Sequence, residues 1–273
     1  QLKEHPFDFA LWKSAKPGEV SWESPWGHGR PGWHIECSVM ATEILGDTID
    51  IHGGGADLEF PHHTNEIAQS ECKTGQTFAN YWMHNAMLNI NDEKMSKSLG
   101  NFLTAHDMLE KIDGPVLRFF LATQHYRRPL NYTEKAISDA ETNLKYLKNT
   151  YTQPVLNVSE HTVLAKHLAA FETAINDDFN AANGITAIFD FAKWINSGNY
   201  DAIVKEAFGK MLAVFGIVFE EEVLDSEIEA LIEERQVARA NRDFATADRI
   251  RDELAEQGIK LLDTKDGVRW TRD

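Results

Sequence analysis

The hydrophobic pattern of this chain changes character near residue 104, and this change limits its possible folds more than any other feature. Before that point, short apolar runs alternate with Gly- and Pro-rich segments and with short helical stretches. After it, glycines become rare and apolar residues recur at helical spacing. Strands separated by helices favour a parallel α/β layer, whereas sustained helical periodicity with short loops favours an antiparallel bundle. The sequence therefore predicts an α/β part followed by an all-α part.

The first part of the chain contains the elements of an α/β layer. Helices are predicted over residues 33–45 and after Pro61, a residue that suits a first helical turn. Buried strands are predicted over residues 48–55, ending in a flexible glycine turn, and over residues 81–90. The polar segment 91–101 then forms a predicted loop at the end of the second strand.

The second part predicts a helical bundle and a small terminal domain. The amphipathic helix candidates are residues 114–126, 133–151, 162–177, 180–198 and 202–217. A charged helical stretch over residues 226–257 breaks at 241–243, and two alternating runs around Lys265–Gly267 then predict a hairpin. We place three domains at residues 1–124, 125–222 and 223–273.

Composition limits the class of protein. Apolar residues make up 42% and charged residues 26%, as in soluble globular proteins, and no run approaches the roughly 20 apolar residues of a membrane span. Only two cysteines occur, which indicates a reducing cytoplasm and no disulfide framework. The net charge of −16 argues against a generic nucleic-acid binder, although a local basic strip can coexist with an acidic body. Because the chain begins without Met, we expect it to start inside a longer protein.

A lysine-bearing loop is the first candidate functional segment. Lys94 and Lys97 belong to the pentapeptide KMSKS, directly after a predicted strand. By composition alone, such a loop is most often solvated surface. Two lysines at the end of a parallel strand can also close over a polyphosphate and stabilise the charge on a leaving pyrophosphate.

Cys37, His62 and Glu66 form a second candidate site. His62 and Glu66 are four residues apart, so they share one face of a helix, and Cys37 lies on another element. Cysteine, histidine and carboxylate side chains are zinc ligands. Two other interpretations stay open at this point. A lone cysteine is commonly a core residue, and a His–Glu pair at this spacing is commonly a surface hydrogen bond.

Several segments together resemble the cysteinyl-tRNA synthetases, a family of class I aminoacyl-tRNA synthetases. They are GWHIEC (32–37), GGGADLEFPHH (53–63), YWMHNAML (81–88), MLNINDEKMSKSLGN (87–101) and the ending RDELAEQGIKLLDTKDGVRW (251–270). The resemblance covers nearly the whole chain. It implies the second half of a Rossmann-like parallel sheet, then an antiparallel helical bundle and a small C-terminal α+β domain.

The resemblance assigns roles in nucleotide and substrate binding. Lys97 would contact the ATP phosphates, with Lys94 assisting, and Mg²⁺ would accompany ATP. The other implied ATP-binding residues are Gly53, Gly54, Gly55, Asp57, Met95, Ser96 and Ser98. Trp33 and His34 would line the pocket for the cysteine side chain. Without the resemblance, Trp33 is equally an ordinary core residue and the three glycines a plain turn.

The resemblance also implies a zinc ion that holds the substrate thiolate. Cys37, His62 and Glu66 would be its ligands, and a further cysteine ligand would lie in an N-terminal half that is absent here. His52 and His63 are neighbours that would support or replace a ligand. Zinc strongly prefers a thiolate to a hydroxyl, whereas pocket shape separates cysteine from serine only weakly.

Basic and aromatic residues mark the half expected to face tRNA. Arg127, Arg128 and Lys135 cluster with Tyr126 and Tyr132, which suits backbone contact and base stacking, although arginines near a helix end are often only caps. The resemblance implies that the bundle binds the anticodon stem and that the terminal domain reads the anticodon. Candidates there are Lys260, Lys265, Arg269, Trp270 and Arg272. Trp270 would stack on a base or cover the apolar face of the hairpin, and the second reading is slightly favoured.

The expected activity is the ATP-dependent ligation of cysteine to its tRNA through cysteinyl-adenylate, by a protein that is a monomer at full length. None of the 11 histidines begins the His-x-Gly-His tetrapeptide of class I synthetases, so we expect this chain alone to be inactive. Two alternatives stay open. One is a related ligase that joins cysteine to a small amine, and the other is a tRNA-binding module without chemistry.

Overall fold

The computed structural model describes residues 3–95, 100–156, 161–219, 226–264 and 267–272. The chain divides into two compact units, residues 1–141 with 172–185 and residues 142–171 with 186–273. The strands are β1 (Trp12–Ser14), β2 (Gly29–Pro31), β3 (Ile49–Gly55), β4 (Ala79–Asn85), β5 (Leu88–Ile90), β6 (Glu93–Lys94), β7 (Leu130–Tyr132), β8 (Ile259–Thr264) and β9 (Gly267–Arg272). The α-helices are α1 (Trp33–Leu45), α2 (Thr64–Thr74), α3 (Ala105–Leu109), α4 (Gly114–Ala122), α5 (Glu134–Tyr151), α6 (Thr162–Asn176), α7 (Ala181–Asn196), α8 (Ala202–Val214), α9 (Ser226–Ala240) and α10 (Phe244–Glu256). No helix among the described residues is long and apolar enough to cross a membrane.

A parallel pair of strands, β3 and β4, forms the centre of the first unit. The pairing extends from Ile49 opposite Ala79 to Gly55 opposite Asn85. Helix α2 lies between the two strands in the sequence and provides the crossover connection that parallel strands require. Ile49 and Ala79 join the fully buried Phe78 in an apolar cluster beneath this layer. The predicted α/β layer is therefore present.

The glycines at the end of β3 are strand residues, so the predicted glycine turn is wrong. Gly53–Gly55 pairs with Met83–Asn85 of β4. A Cβ atom on Gly54 would lie 2.9 Å from Cε1 of His63. Glycine is required here because an imidazole ring lies directly against the strand, and no room is left for a side chain.

The predicted strand over residues 81–90 divides into two strands that belong to different sheets. β4 ends at Asn85, and β5 starts at Leu88 in a three-stranded sheet of order β6-β5-β7. β5 pairs antiparallel with β6 and parallel with β7. The turn between β5 and β6 places Asn91 and Asp92 in the left-handed region, with φ of 49° and 67°. This short hairpin presents Lys94 at its end.

The helices predicted from periodicity are present, with differences at their ends. The helix predicted over 202–217 ends at Val214, because Gly216 takes a left-handed conformation that closes the last turn. The second unit has its core on α7 and α8. Its fully buried side chains include Leu147, Ile188, Phe191, Ile195, Tyr200, Val204, Phe208 and Leu212.

Two helices and a hairpin form the C-terminal part of the second unit. The break predicted at 241–243 is present, because Arg242 has a φ of 62° and Asp243 caps α10 by accepting a hydrogen bond from the Thr246 N–H. β8 and β9 pair antiparallel, as predicted. Lys265 and Asp266 of the predicted turn lie outside the described residues.

Candidate functional site

Three side chains from neighbouring elements of the first unit converge on one point. Cys37 lies on α1, His62 in the π-helical turn Glu59–His63, and Glu66 in the first turn of α2. Each residue offers one ligand atom: the sulfur of Cys37, a ring nitrogen of His62 and a carboxylate oxygen of Glu66. These three atoms lie within 4.8 Å of one another. The structure therefore brings together the three residues that the sequence marks as zinc ligands.

The carboxylate of Glu66 is fully buried among imidazole rings. Its two oxygens lie 2.5 Å from Nε2 of His62 and 3.0 Å from Nε2 of His52. Neither oxygen accepts a hydrogen bond of ordinary geometry within the described part of the chain, and burial raises the pKa of Glu66 to about 7. A buried carboxylate without a donor is unfavourable, and a bound cation would relieve this. The donor set therefore fits a metal ion.

Burial also favours the uncharged forms of the surrounding side chains. It lowers the pKa values of His62, His52 and His34, and that of His63 to about 4. Burial raises the pKa of the Cys37 thiol, and the nearby Glu66 charge adds to this effect. Neutral imidazoles keep the lone pairs that a metal ion needs, whereas the thiol and carboxyl must lose protons to bind one.

Trp33 and His34 contact the candidate ligand His62 from α1. The Trp33 ring stacks on the His62 ring with centroids 4.2 Å apart, and Nδ1 of His34 lies 2.8 Å from Nδ1 of His62. Trp33 is 54% exposed. It therefore forms an open wall next to the candidate ligands and is not a core residue.

A second group of imidazoles surrounds Glu66 on the side of β3 and β4. Ring nitrogens of His52 and His63 and a Glu66 oxygen also lie within 4.8 Å of one another. Nδ1 of His63 is 2.7 Å from Nε2 of His84 on β4. His52 and His63 are foreseen from the sequence, whereas His84 is not. A signal for His84 was available. It follows Trp82 by two residues, so the two side chains lie on the same face of β4, and Trp82 lies opposite His52 in the parallel pair.

Only some of the implied nucleotide-binding residues are described. Lys94 is exposed at the end of β6, and the Met95 N–H donates to the Leu88 carbonyl at 3.3 Å. Asp57 is exposed in the turn Ala56–Leu58 that follows the glycines of β3. Ser96, Lys97 and Ser98 lie outside the described residues. The roles of all these residues in ATP binding stay predictions.

Arg127 is held by another part of the first unit. Its Nε lies 2.6 Å from one Asp178 oxygen, and its Nη2 lies 3.3 Å from the other. The Tyr126 hydroxyl also donates to Asp178 at 2.6 Å. The Arg127 and Tyr126 hydrogen bonds lower the pKa of Asp178 to about 2. The sequence gives no local signal for this pair because its members lie 51 residues apart.

The other predicted tRNA contacts are placed in different ways. Arg128 is exposed, and Lys135 forms an ion pair of 2.7 Å with an aspartate one turn further along α5. Trp270 packs against the apolar cluster of the C-terminal part, which agrees with its alternative interpretation. Lys265 lies outside the described residues, and Arg269 is described only as a backbone position of β9. Their contacts with tRNA stay predictions.

Comparison with protein-family models places the chain in a class of enzymes. Residues 1–142 match the tRNA synthetases class I (C) catalytic domain. This match covers more than half of the chain, so the chain belongs to that family. Residues 170–220 match the DALR domain, and residues 221–270 match the cysteinyl-tRNA ligase anticodon binding domain. The predicted fold class, an α/β catalytic part followed by helical tRNA-related domains, is confirmed.

Curated relatives give a more particular likeness. A protein of Streptococcus thermophilus named cysteine–tRNA ligase is 76% identical over 271 residues, which is 99% of this chain. A protein of the same name from Streptococcus agalactiae is 74% identical over 273 residues. The chain spans 61% of the length of each of these relatives. The resemblance carried by the sequence motifs is therefore confirmed.

A solved structure supports the fold. The LeuRS of Agrobacterium radiobacter, crystallised as a ternary complex with tRNA and LeuAMS, superposes with a TM-score of 0.52. The alignment covers 71% of this chain and 32% of that chain at 14% identity. At this low identity the likeness concerns the fold alone.

Proposed function

We propose that this chain carries the thiol-selecting metal site and the lysine hairpin of an enzyme that ligates cysteine to its tRNA through cysteinyl-adenylate. The observation that carries the proposal is the convergence of Cys37, His62 and Glu66 on one point in a class I synthetase catalytic domain. The names of the curated relatives support the choice of cysteine and tRNA as substrates.

Zinc is the metal that fits this donor set. A thiolate, a neutral imidazole and a carboxylate are the ligand types that zinc binds in proteins, and Cys37, His62 and Glu66 offer one of each. When bound, zinc supplies a soft Lewis acid that prefers a thiolate to a hydroxyl. We assign the remaining protein ligand to another part of the longer protein.

The residues around the candidate ligands orient them and form one wall of the site. Nδ1 of His34 lies within hydrogen-bond distance of Nδ1 of His62, and this contact fixes the direction in which Nε2 of His62 points. The exposed Trp33 ring stacked on His62 forms the wall against which a short side chain packs. A thiol entering beside this wall is bound in preference to the hydroxyl of serine, which shape alone discriminates weakly.

Activation of cysteine depends on charge near the nucleotide. Lys94, presented by the hairpin, and Lys97 neutralise the phosphates of ATP, with Mg²⁺ as the accompanying cation. Catalysis of this kind rests on the positioning of the reactants and on the stabilisation of charge on the leaving pyrophosphate. The exposure of Lys94 supports this role.

The C-terminal half supports tRNA as the acceptor of cysteine. Residues 221–270 match an anticodon binding domain. A ligase that acts on a small amine does not require such a domain. With a net charge of −16, the chain needs local basic contacts for tRNA, and the exposed Arg128 is one candidate. We retain the three domains with boundaries near residues 125 and 223 as part of this proposal.

The proposal is tested with the longer protein that contains this chain and with the chain itself. The longer protein should show cysteine-dependent ATP–pyrophosphate exchange and should charge tRNA with cysteine. The 273-residue chain should show no exchange, and measurable exchange by the pure chain would contradict its predicted inactivity.

Thiol selection is tested separately with cobalt(II) in place of zinc. Added cysteine should intensify the thiolate-to-cobalt charge-transfer band of the chain, whereas added serine should leave it unchanged. An equal response to both amino acids would contradict thiol selection at this site. The variant Cys37→Ser should lack the band before any ligand is added, and Cys72→Ser serves as its matched control.

A further inference from the structure

The hairpin that carries Lys94 is held at its turn by a side chain 39 residues further along the chain. Asn131, on β7, accepts a hydrogen bond from the Asp92 N–H at 2.9 Å through its Oδ1. Its Nδ2 donates to Oδ1 of Asp92 at 2.8 Å. The amide of Asn131 therefore pairs with both the backbone and the side chain of one turn residue.

The turn between β5 and β6 depends on such support because of its backbone conformation. Asn91 and Asp92 both lie in the left-handed region, which costs energy for residues with a Cβ, although Asn and Asp adopt it more readily than most, and contacts with β7 stabilise it further. The Asn91 N–H donates to the Tyr132 carbonyl at 3.0 Å. β7 thus holds both residues of the turn.

The position of Lys94 follows directly from that turn. β6 contains only Glu93 and Lys94, and Lys94 lies opposite Asn89 in the antiparallel register. A strand this short has few ladder hydrogen bonds of its own. The other backbone contacts here are long, from Asn101 Nδ2 to the Lys94 carbonyl and from the Met95 N–H to the Leu88 carbonyl, both at 3.3 Å, so a change at Asp92 should reach Lys94. Asn131 itself is half-buried, whereas Asp92 and Lys94 are exposed.

We propose that Asn131 is a positioning residue for Lys94. Its two hydrogen bonds to Asp92, which we call the grip, fix the turn of the β5–β6 hairpin and the direction in which this hairpin presents the lysine. The consequence for catalysis rests on the proposed function, in which Lys94 neutralises the phosphates of ATP. The grip itself is a property of the chain alone, so the two claims can fail separately.

A polarity exchange tests the grip in the 273-residue chain. Asn131→Asp replaces the Nδ2 donor by a carboxylate oxygen that faces the Asp92 carboxylate. The hydrogen bond from Nδ2 is lost, and the two negative charges repel each other. In the double variant Asn131→Asp with Asp92→Asn, the introduced amide donates to the introduced carboxylate, and the pairing is restored with reversed polarity. Asp92→Asn alone keeps an acceptor for Asn131 and should resemble the wild type.

The readouts are the rate of trypsin cleavage after Lys94, followed by mass spectrometry, and hydrogen–deuterium exchange over residues 88–95. Asn131→Asp should raise the cleavage rate by roughly fivefold, the effect expected for one hydrogen bond, and the double variant should return it to within about twofold of the wild type. Asn149→Asp, at an exposed position of α5, adds the same charge elsewhere and should change nothing. A rate that does not rise in Asn131→Asp, or that is not restored in the double variant, overturns the proposal.

The longer protein links this grip to catalysis. There, Asn131→Asp should lower kcat of cysteine-dependent ATP–pyrophosphate exchange and leave the KM for cysteine unchanged, and the double variant should recover kcat. A wild-type protein without exchange, together with the expected cleavage pattern, would refute the proposed function and leave the grip intact. Normal exchange with identical cleavage in all variants would refute the positioning role alone.

Discussion

Two carboxylates of the first unit lie among nitrogen-bearing side chains, yet their pKa values move in opposite directions. Glu66 is fully buried beside His62 and His52, and its pKa rises to about 7. Asp178 is partly exposed beside Arg127 and Tyr126, and its pKa falls to about 2. Distances from nitrogen to oxygen are similar at the two sites, so distance does not explain the difference.

The difference lies in burial and in the charge of the neighbours: desolvation raises the pKa of Glu66, whereas hydrogen bonds from Arg127 and Tyr126 lower that of the more exposed Asp178. Arg127 carries a permanent charge and donates two hydrogen bonds to Asp178, so that carboxylate is neutralised within the chain. The imidazoles around Glu66 have lowered pKa values and bring lone pairs in place of positive charge. The contrast supports a structural role for Asp178 and the proposed role of Glu66 as a metal ligand.

The largest expected effect is the loss of zinc on changing a candidate ligand. Chains purified with zinc should contain about one ion each, because Cys37, His62 and Glu66 together offer one site. Glu66→Gln and Cys37→Ser should each reduce this content to nearly zero, as measured by inductively coupled plasma mass spectrometry. Cys72→Ser and Asp178→Asn should keep it. Normal zinc content in Glu66→Gln would remove the distinction between the two carboxylates.

The second expected effect is a strong dependence of zinc affinity on pH. Zinc requires the ionised forms of Cys37 and Glu66. The pKa of the Cys37 thiol is raised, so protons compete with the metal there throughout the neutral range, and the Glu66 carboxyl adds to this competition below about pH 7. The affinity should decrease by about tenfold or more for each pH unit below 7, since two ligands must lose protons. Competition with a chromophoric chelator at pH 6, 7 and 8 measures this, and a flat profile contradicts it.

A smaller effect is expected on tRNA affinity. Arg127 is paired with Asp178, whereas the side chain of Arg128 has no hydrogen-bond or ion-pair partner among the described residues. If both face tRNA, Arg128→Ala should weaken binding by about three- to tenfold at low salt, the effect of one lost phosphate contact, and Arg127→Ala by less. Filter binding at two salt concentrations would show this order. The reverse order would mean that Arg127 leaves Asp178 to contact tRNA.

The smallest expected effect concerns stability. The pKa of Asp178 is lower in the folded chain than its ordinary value of 3.8, so its ionised form stabilises the fold. This stabilisation is complete above that ordinary value and is lost as pH falls through about 2. Asp178→Asn should slightly lower the urea midpoint at pH 6, and the difference should vanish near pH 2. Asp139→Asn, which removes an exposed helical ion pair, is the matched control and should have less effect.

Features that depend on local spacing could be predicted from the sequence. The limits of α1 follow from a helical stretch closed by Gly46, and the His62–Glu66 contact follows from their spacing of four residues. Cys37 joins that pair through the chemistry of its thiol, but only the family resemblance favours a metal site over the other interpretations, because nothing in the spacing links α1 to α2. The same glycines at 53–55 suit a turn or a tightly packed strand, and only the position of His63 against β3 decides between them.

Features that depend on pairs distant in sequence could not be predicted. Asp178 with Arg127, Asn131 with Asp92, and His84 with His63 are joined only when the fold sets one segment beside another. An isolated asparagine or aspartate in a polar segment has many possible partners. The extent of burial could not be predicted either. Desolvation raises the pKa of Glu66, and the sequence around Glu66 does not reveal that this side chain is buried.

X-ray absorption spectroscopy at the zinc edge identifies the atoms that hold the metal. For the zinc-loaded chain, we predict one sulfur neighbour at about 2.3 Å together with nitrogen and oxygen neighbours, and no sulfur neighbour for any zinc that Cys37→Ser retains under excess metal. A first shell of nitrogen and oxygen alone in the wild-type chain, or a Glu66→Gln variant that retains its zinc with an unchanged spectrum, would contradict the assignment of the metal to these three side chains.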